Sequence, residues 1–143
     1  MKRGITFSTF DLFHAGHILM LQEAKTRCDW LIACIQTDPT IDRPEKNKPI
    51  QSIFERYIQV KGCILVDETL VYETEADLLL ILKSIQYDVR IIGEEYKDKE
   101  FTGRDISLDK CYFNRRQHSF STTELRNRII EESSKKKPIL NCI

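Results

Sequence analysis

The sequence predicts an α/β domain whose strands form one mainly parallel sheet of five strands. Short apolar runs of strand length alternate along the chain with longer segments in which apolar residues recur at helical spacing. Two of the runs, residues 29–37 and 87–93, are apolar almost throughout, as expected of parallel strands covered on both faces. Because parallel strands joined by helices make right-handed crossovers, this alternation favours one doubly wound, Rossmann-like domain over residues 1–143.

The predicted strands are short, and polar turns or helical segments separate them. The third is interrupted near Asp67. In chain order the strand candidates are residues 2–7, 29–37, 64–72, 87–93 and 110–116.

Four segments have helical spacing, and three of them begin with recognisable caps. Ser52 and Thr74 stand at N-cap positions, and Asp77 lies in the first turn after Thr74. Ser121 and Glu124 have the S-x-x-E spacing of a capping box. The helix candidates are residues 15–28, 51–63, 74–86 and 121–133.

Composition excludes several classes of protein. Lys plus Arg and Asp plus Glu are balanced at 22 each, so the chain lacks the overall basic charge of a nucleic-acid-binding protein. Nothing predicts membrane insertion or a secretory leader, and we expect a cytoplasmic protein. The five cysteines include no CxxC pair, which argues against disulfides and a zinc site. Residues 38–49 and 94–109 are polar and predict loops, and residues 133–143 predict a flexible tail.

Two of the three histidines, His14 and His17, lie three positions apart at the predicted start of the first helix. The free N–H groups and positive dipole of a helix start favour an anion, and imidazoles there can donate hydrogen bonds to phosphate oxygens. Gly16 between them lets a ligand approach the helix closely. A capping histidine and a zinc pair are the alternatives, although the spacing and the lack of a third nearby ligand make zinc the weaker one.

A second phosphate-binding helix start is predicted at STTELR. Ser121, Thr122 and Thr123 supply hydroxyls and free amides, and Arg115, Arg116 and Arg126 are nearby in sequence. An ordinary N-cap explains the segment equally well when it is taken alone. Two such helix starts in one small α/β domain favour phosphate binding.

The two segments HAGH and STTELR, in this order and context, resemble the signatures of the HxGH nucleotidyltransferase superfamily. Within it the chain is most similar to the bacterial glycerol-3-phosphate cytidylyltransferases. Further similarity lies in TFDLFHAGH, the IQTD strand end, FERYIQV, DVRIIGEEY and RRQHSFSTTELR, and so runs over nearly the whole chain.

The resemblance implies transfer of CMP from CTP to a small polyol phosphate, with glycerol 3-phosphate the favoured acceptor, for a cell-surface polymer precursor. It implies Mg²⁺ bound mainly through the triphosphate, with Asp11 a possible further ligand, and a homodimer. His17 would stabilise the transition state, and His14, Lys46, Lys48 and Arg116 would contact the phosphates. The other implied nucleotide-binding residues are Ser8, Thr9, Phe10, Asp11, Gly16, Arg56, Gly93, Ser121, Thr122 and Thr123.

Several positions depart from the family pattern. Ser8 replaces the usual glycine before TFD, and Ala15 stands where an aromatic residue is common. Gln117 and His118 replace a threonine and an acidic residue, and the segment 94–109 is longer than in the shortest relatives. Three other functions therefore stay open: an adenylyltransferase using ATP on a phosphorylated sugar or cofactor precursor, a nucleotide-binding module without turnover, and a metal-binding protein.

Overall fold

The computed structural model describes residues 1–136, which contain one five-stranded sheet. Every pair of neighbouring strands in it is parallel. The predicted parallel α/β fold is therefore confirmed, and the strand ends differ from the prediction by a few residues. The strands are β1 (Arg3–Ser8), β2 (Trp30–Gln36), β3 (Glu68–Tyr72), β4 (Val89–Gly93) and β5 (Cys111–Asn114).

The helices begin at the predicted caps. Ser52 and Thr74 form reciprocal capping boxes, and the Ser121 hydroxyl accepts from the backbone N–H of Glu124. The segment 94–109 contains one short helix, α4, that the sequence did not predict. The helices are α1 (Ala15–Lys25), α2 (Ile53–Lys61), α3 (Glu75–Ser84), α4 (Arg104–Ser107) and α5 (Thr122–Lys135).

The strand order β3-β2-β1-β4-β5 places β1 at the centre of the sheet. The chain moves outward from β1 through β2 to β3 and then returns to β4 on the other side of β1. The strand order thus reverses between β1 and β4. In open α/β sheets this is where a crevice forms beyond the carboxyl ends of the strands.

Helices cover both faces of the sheet. Leu21 of α1 and Val60 of α2 belong to the apolar cluster on one face, and Leu78 and Leu82 of α3 belong to the cluster on the other. Ile5, Leu31 and Ile32 of the central strands are fully buried beneath them, which explains the apolar runs in the sequence.

Three further predictions concern the C-terminal tail, the cysteines and membrane insertion. Residues 133–135 continue α5, so the predicted tail was wrong for its first part, and residues 137–143 lie outside the described residues. Cys142 lies there too, whereas Cys28, Cys34, Cys63 and Cys111 are free. Within residues 1–136 no helix has both the length and the apolar character needed to cross a membrane.

Candidate active site

An open cleft of about 940 Å³ lies beyond the carboxyl ends of β1 and β4. Its position is the one expected from the reversal in strand order. Most of the predicted site residues line it: Ser8, Thr9, Phe10, Asp11, His14, Gly16, His17, Lys46, Gly93, Arg116, Ser121, Thr122 and Thr123.

The loop between β1 and α1 has a strained backbone. Phe10 and Leu12 have φ values of 52° and 54°, in the left-handed region that side chains other than glycine seldom adopt. Burial of the Phe10 ring and a 2.8 Å hydrogen bond from the Leu12 N–H to Gln51 Oε1 hold this conformation. The Phe10 side chain therefore packs in the apolar core and not against a ligand. Ser8, which replaces the usual glycine, does not have a positive φ, and its hydroxyl accepts from the Phe10 N–H at 3.4 Å.

His14 caps α1 and joins it to the start of α5. Its Nδ1 accepts a 3.0 Å hydrogen bond from the Gly16 N–H, so the proton of the neutral ring lies on Nε2. Nε2 lies 3.1 Å from the Thr122 hydroxyl and donates to it, and that hydroxyl donates in turn to the Asp11 carbonyl. The two helix starts predicted from the sequence therefore meet at one hydrogen-bonded chain.

His17 keeps one ring donor for a ligand. Its Nδ1 accepts from the backbone N–H of His14 at 3.1 Å, which leaves the proton on Nε2. The ring stacks on His14 at 3.8 Å between centroids and on Phe13 at 5.6 Å. Within residues 1–136 the Nε2–H of His17 has no hydrogen-bond partner, and the residue lines the cleft.

The segment before α5 crosses the start of α1. Arg116 lines the cleft, its guanidinium donates to the Phe120 carbonyl at 2.9 Å, and its backbone N–H donates to Glu94 at 3.3 Å. Ser121 caps α5, so the positive end of that helix faces the same cleft as α1. These contacts bring Arg116 beside both predicted phosphate-binding segments.

Asp11 lines the cleft, and hydrogen bonds from three groups hold its carboxylate. Its carboxylate accepts hydrogen bonds from the backbone N–H groups of Ile50 and Gln51 at 2.9 and 3.0 Å, and it pairs with Arg126 at 3.1 Å. Burial raises the pKa of Asp11, but these three donors outweigh burial and hold that pKa below its ordinary value. These hydrogen bonds give Asp11 an ordering role, and its contact with the nucleotide or a metal stays a prediction.

Arg56, which the resemblance implies binds the nucleotide, lies away from the lining of the cleft. The side chain is 2% exposed, and its guanidinium donates to the backbone carbonyls of Thr9, Gln36, Thr37 and Gln51. All four carbonyls lie at the end of β2 or in the loops that follow β1 and β2, and these loops shape the cleft. Arg56 positions these loops and does not line the cleft.

The remaining predicted residues differ in their placement. Lys46 lines the cleft, whereas Lys48 does not, and the Lys48 carbonyl accepts a hydrogen bond from Arg126 at 2.8 Å. Gly93 lies at the end of β4, where a Cβ would collide with the Glu95 carboxylate. The space above Gly93 is therefore shared with an acidic group, which the sequence analysis had not predicted.

The sequence model of cytidylyltransferase-like proteins matches residues 5–129, which include all of the cleft described above. The chain belongs to the cytidylyltransferase-like family.

The curated relatives of this cytidylyltransferase-like chain include an FAD synthase and several bifunctional HldE proteins. An FAD synthase from Thermococcus sibiricus is 27% identical over 140 residues, covering 90% of the chain and 93% of the relative. The bifunctional protein HldE from Wolinella succinogenes is 36% identical over 107 residues, covering 73% of the chain. The chain spans only about a fifth of the length of the HldE proteins it matches.

A solved structure shows the same fold. The lipopolysaccharide core biosynthesis protein from Thermoplasma volcanium GSS1 superposes with a TM-score of 0.63 at 23% identity. The match covers 85% of this chain and 99% of that protein.

Both catalytic candidates are neutral at physiological pH. Burial and the neighbouring His14 lower the pKa of His17 to about 3. Burial, together with His118 and Arg116, also lowers the pKa of His14. Only His17 therefore keeps a neutral ring donor free for a ligand, because Nε2 of His14 bonds to Thr122. The zinc alternative gains no support, since residues 1–136 contain no group of three or more possible metal ligands.

The lowered pKa of His17 predicts a loss of stability in acid. Below pH 6.5 an unfolded imidazole takes up a proton, while the folded His17 stays neutral until the pH approaches about 3. The unfolded state then binds more protons, so the free energy of unfolding falls by up to about 1.4 kcal/mol per pH unit across this range. Urea unfolding between pH 7.5 and 4.5 measures this slope. It should be shallower in H17Q, and equal slopes in the two proteins would contradict the assignment.

Gly16 is required where the segment before α5 crosses α1. A Cβ there would lie 2.9 Å from the His14 ring and 3.0 Å from the Phe120 carbonyl oxygen. We expect Gly16→Ala to lower the free energy of unfolding by about 1–3 kcal/mol and to weaken nucleotide binding, measured by urea unfolding and calorimetry. Gly62→Ala is the control, because a Cβ there would meet only carbonyls of its own helix, that of Ile58 at 3.1 Å, and equal effects of the two changes would refute the argument that α1 and the segment before α5 are crowded.

The sequence analysis missed several residues of the cleft. Arg90, Arg43, Glu75 and Glu95 all line it. Arg90 could have been found as the one charge inside the apolar run of β4. Arg43 and Glu75 pair with each other from different elements, and sequence spacing does not show such a pair. Arg126 was noted only as a neighbour in sequence, although its helical position four residues after Thr122 places both toward Asp11.

Proposed function

We propose that the chain is a nucleotidyltransferase that joins the α-phosphate of a nucleoside triphosphate to the phosphate of a small acceptor. The observation that supports it is the meeting of two helix starts at His14 and Thr122, with the Nε2–H of His17 left free beside them. Helix N-termini and fixed neutral donors bind a triphosphate and stabilise the charge that grows on its reacting phosphorus.

In the proposed reaction an oxygen of the acceptor phosphate forms a bond to the α-phosphorus, and the bond from that phosphorus to the bridging oxygen of the β-phosphate breaks. Pyrophosphate leaves with the bonding electrons. His17 donates its Nε2–H to the α-phosphate oxygens as charge increases there. Arg116 and the amides at the start of α5 hold the triphosphate in line, and His14 positions the start of α5 through its hydrogen bond to Thr122.

Magnesium is part of this proposal. The Asp11 oxygens already accept three hydrogen bonds, and residues 1–136 contain no group of three or more possible metal ligands, so the chain offers no ready metal cage. We expect Mg²⁺ to be held mainly by the triphosphate oxygens, where it would neutralise part of their charge.

CTP is our first candidate for the nucleotide and glycerol 3-phosphate the first acceptor to test. ATP is the second candidate, because an FAD synthase, which by its name makes an adenine dinucleotide, is similar over 90% of the chain. Glu95 above Gly93 is a hydrogen-bond acceptor suited to an amino group on the base. Cytosine and adenine both have one, so Glu95 favours these bases over uracil without separating them.

Pyrophosphate release tests the proposal. The chain is mixed with CTP or ATP, Mg²⁺ and a panel of phosphate monoesters, and we expect release with one nucleotide in the presence of its acceptor. Release with ATP alone would move the assignment to an adenylyltransferase. Nucleotide binding without release for any acceptor would favour a binding module. The predicted homodimer is tested separately by sedimentation.

A further inference from the structure

The cleft extends past β1 to the face of the sheet that α3 covers. We call this part the α3-side lobe. Its walls come from β1, the loop after β2, the segment around the start of α3, β4 and the segment before α4. It is lined by Phe7, Arg43, Tyr72, Glu75, Leu78, Arg90 and Phe101.

The lobe contains buried polar atoms with no partner. In residues 1–136 the buried side-chain nitrogen and oxygen atoms that lack a hydrogen bond belong to four residues, and all four line the cleft. Arg126 is one of them and pairs with Asp11. The other three atoms are Arg43 Nε, Glu75 Oε2 and Arg90 Nε, and all three lie in the α3-side lobe. Such atoms are costly in a folded protein unless a ligand or water satisfies them.

Of the three unpartnered atoms, Arg90 Nε gives the strongest evidence for a ligand site. Its side chain is 4% exposed, and its guanidinium lies 5.3 Å from the centroid of the Phe7 ring and 5.2 Å from that of Phe101. Nη1 donates to the Thr102 carbonyl and the Ser107 hydroxyl, and no carboxylate pairs with it in residues 1–136. A buried cation with a free Nε–H beside a cleft is a site for a ligand oxygen.

Of the other two atoms, Glu75 Oε2 is an acceptor and Arg43 Nε is a donor like Arg90 Nε. Glu75 pairs with Arg43 through Oε1 at 3.1 Å, which leaves Oε2 as an acceptor. The Arg43 Nη2 also donates to Gln36 Oε1 at 3.1 Å, and its Nε–H stays free. The walls of the lobe therefore contain two buried donors and one buried acceptor without partners.

We propose that the α3-side lobe binds the hydroxylated body of the acceptor, and that the acceptor is a sugar or polyol phosphate longer than glycerol 3-phosphate. Hydroxyl groups both donate and accept, so a polyol satisfies Arg43, Glu75 and Arg90 together, while its C–H groups pack on Phe7 and Phe101. Satisfying each of the three unpartnered atoms with its own hydroxyl requires three hydroxyl groups, and glycerol 3-phosphate has two. This inference rests on the proposed nucleotidyl transfer to a phosphate acceptor.

Calorimetric titration tests the lobe without requiring turnover. Ribitol 5-phosphate, mannose 1-phosphate and glycerol 3-phosphate are titrated into the full chain with saturating nucleotide and no Mg²⁺. We expect at least one of the two longer phosphates to bind about tenfold or more tightly than glycerol 3-phosphate. E75Q and R90K should each weaken that binding about tenfold, the loss of one buried hydrogen bond, with the nucleotide Kd unchanged. E73Q, at an exposed carboxylate two positions before Glu75, is the control.

The outcomes separate this inference from the proposed function. Equal binding of all three phosphates, or unchanged binding in E75Q, would overturn the inference while leaving nucleotidyl transfer intact. The same phosphates are assayed with Mg²⁺ for pyrophosphate release. Tight binding of a longer phosphate without release from CTP or ATP would refute the proposed reaction and leave the lobe assignment standing.

Discussion

Replacing His17 by glutamine should lower kcat by a factor of about 10²–10³, or about 3–4 kcal/mol, which is the scale for removing one fixed donor from a developing charge. The Nε2–H of His17 is the free donor of the pair, because Nε2 of His14 bonds to Thr122. Since His17 contacts the bound triphosphate and the transition state unequally in this account, the Kd of the nucleotide should change less than tenfold. Single-turnover rates and calorimetry measure the two quantities.

Glutamine is chosen because its side chain preserves the helix cap. The Nδ1 of His17 accepts from the backbone N–H of His14, and a glutamine carbonyl at this third helical position makes the same bond. The free energy of unfolding at pH 7.5 should therefore stay close to wild type in H17Q and fall further in H17A. An unchanged kcat in a folded H17Q would remove His17 from the catalytic role.

Replacing Arg56 by methionine should cost about 3–5 kcal/mol of stability, since the change leaves buried carbonyl groups without their charged donor. Those carbonyls belong to loops that follow both β1 and β2, so the cleft should lose its shape together with the fold. Lysine at this position keeps the charge but has fewer donors. The free energy of unfolding of R56K should therefore lie between those of R56M and wild type. Urea unfolding measures the series.

Arg128 supplies the matched control for Arg56. It is an exposed arginine on α5 with one carboxylate partner, and R128M should change the free energy of unfolding by less than about 1 kcal/mol. If R56M unfolds like wild type but loses nucleotide affinity, Arg56 contacts the nucleotide directly, as the family resemblance had implied.

Much of the fold could be predicted from the sequence because its signals are local. The apolar runs of β2 and β4 and the caps at Ser52 and Thr74 depend on neighbours a few residues away, and the structure confirms them. The short helix α4 was missed because it spans only Arg104–Ser107 within a polar segment. Four residues give too little periodicity to recognise.

The candidate site was predictable only where its residues point to phosphate by themselves. His14, His17 and the start of α5 were found because helix starts, histidines and hydroxyls share one local chemistry. The roles of Asp11 and Arg56 depend mostly on partners about 20 to 115 residues away in sequence, and spacing cannot show those contacts. The α3-side lobe was missed for the same reason, since Arg43, Glu75 and Arg90 come from three different elements.

The central claim is that an acceptor phosphate attacks the α-phosphorus of a nucleotide bound between the starts of α1 and α5. Its most direct test uses an acceptor whose phosphate oxygens are labelled with ¹⁸O, with products separated and weighed by mass spectrometry. We predict that all of the label enters the nucleoside diphosphate-linked product and that the released pyrophosphate is unlabelled. Label in the pyrophosphate, or release of inorganic phosphate in place of pyrophosphate, would contradict the account.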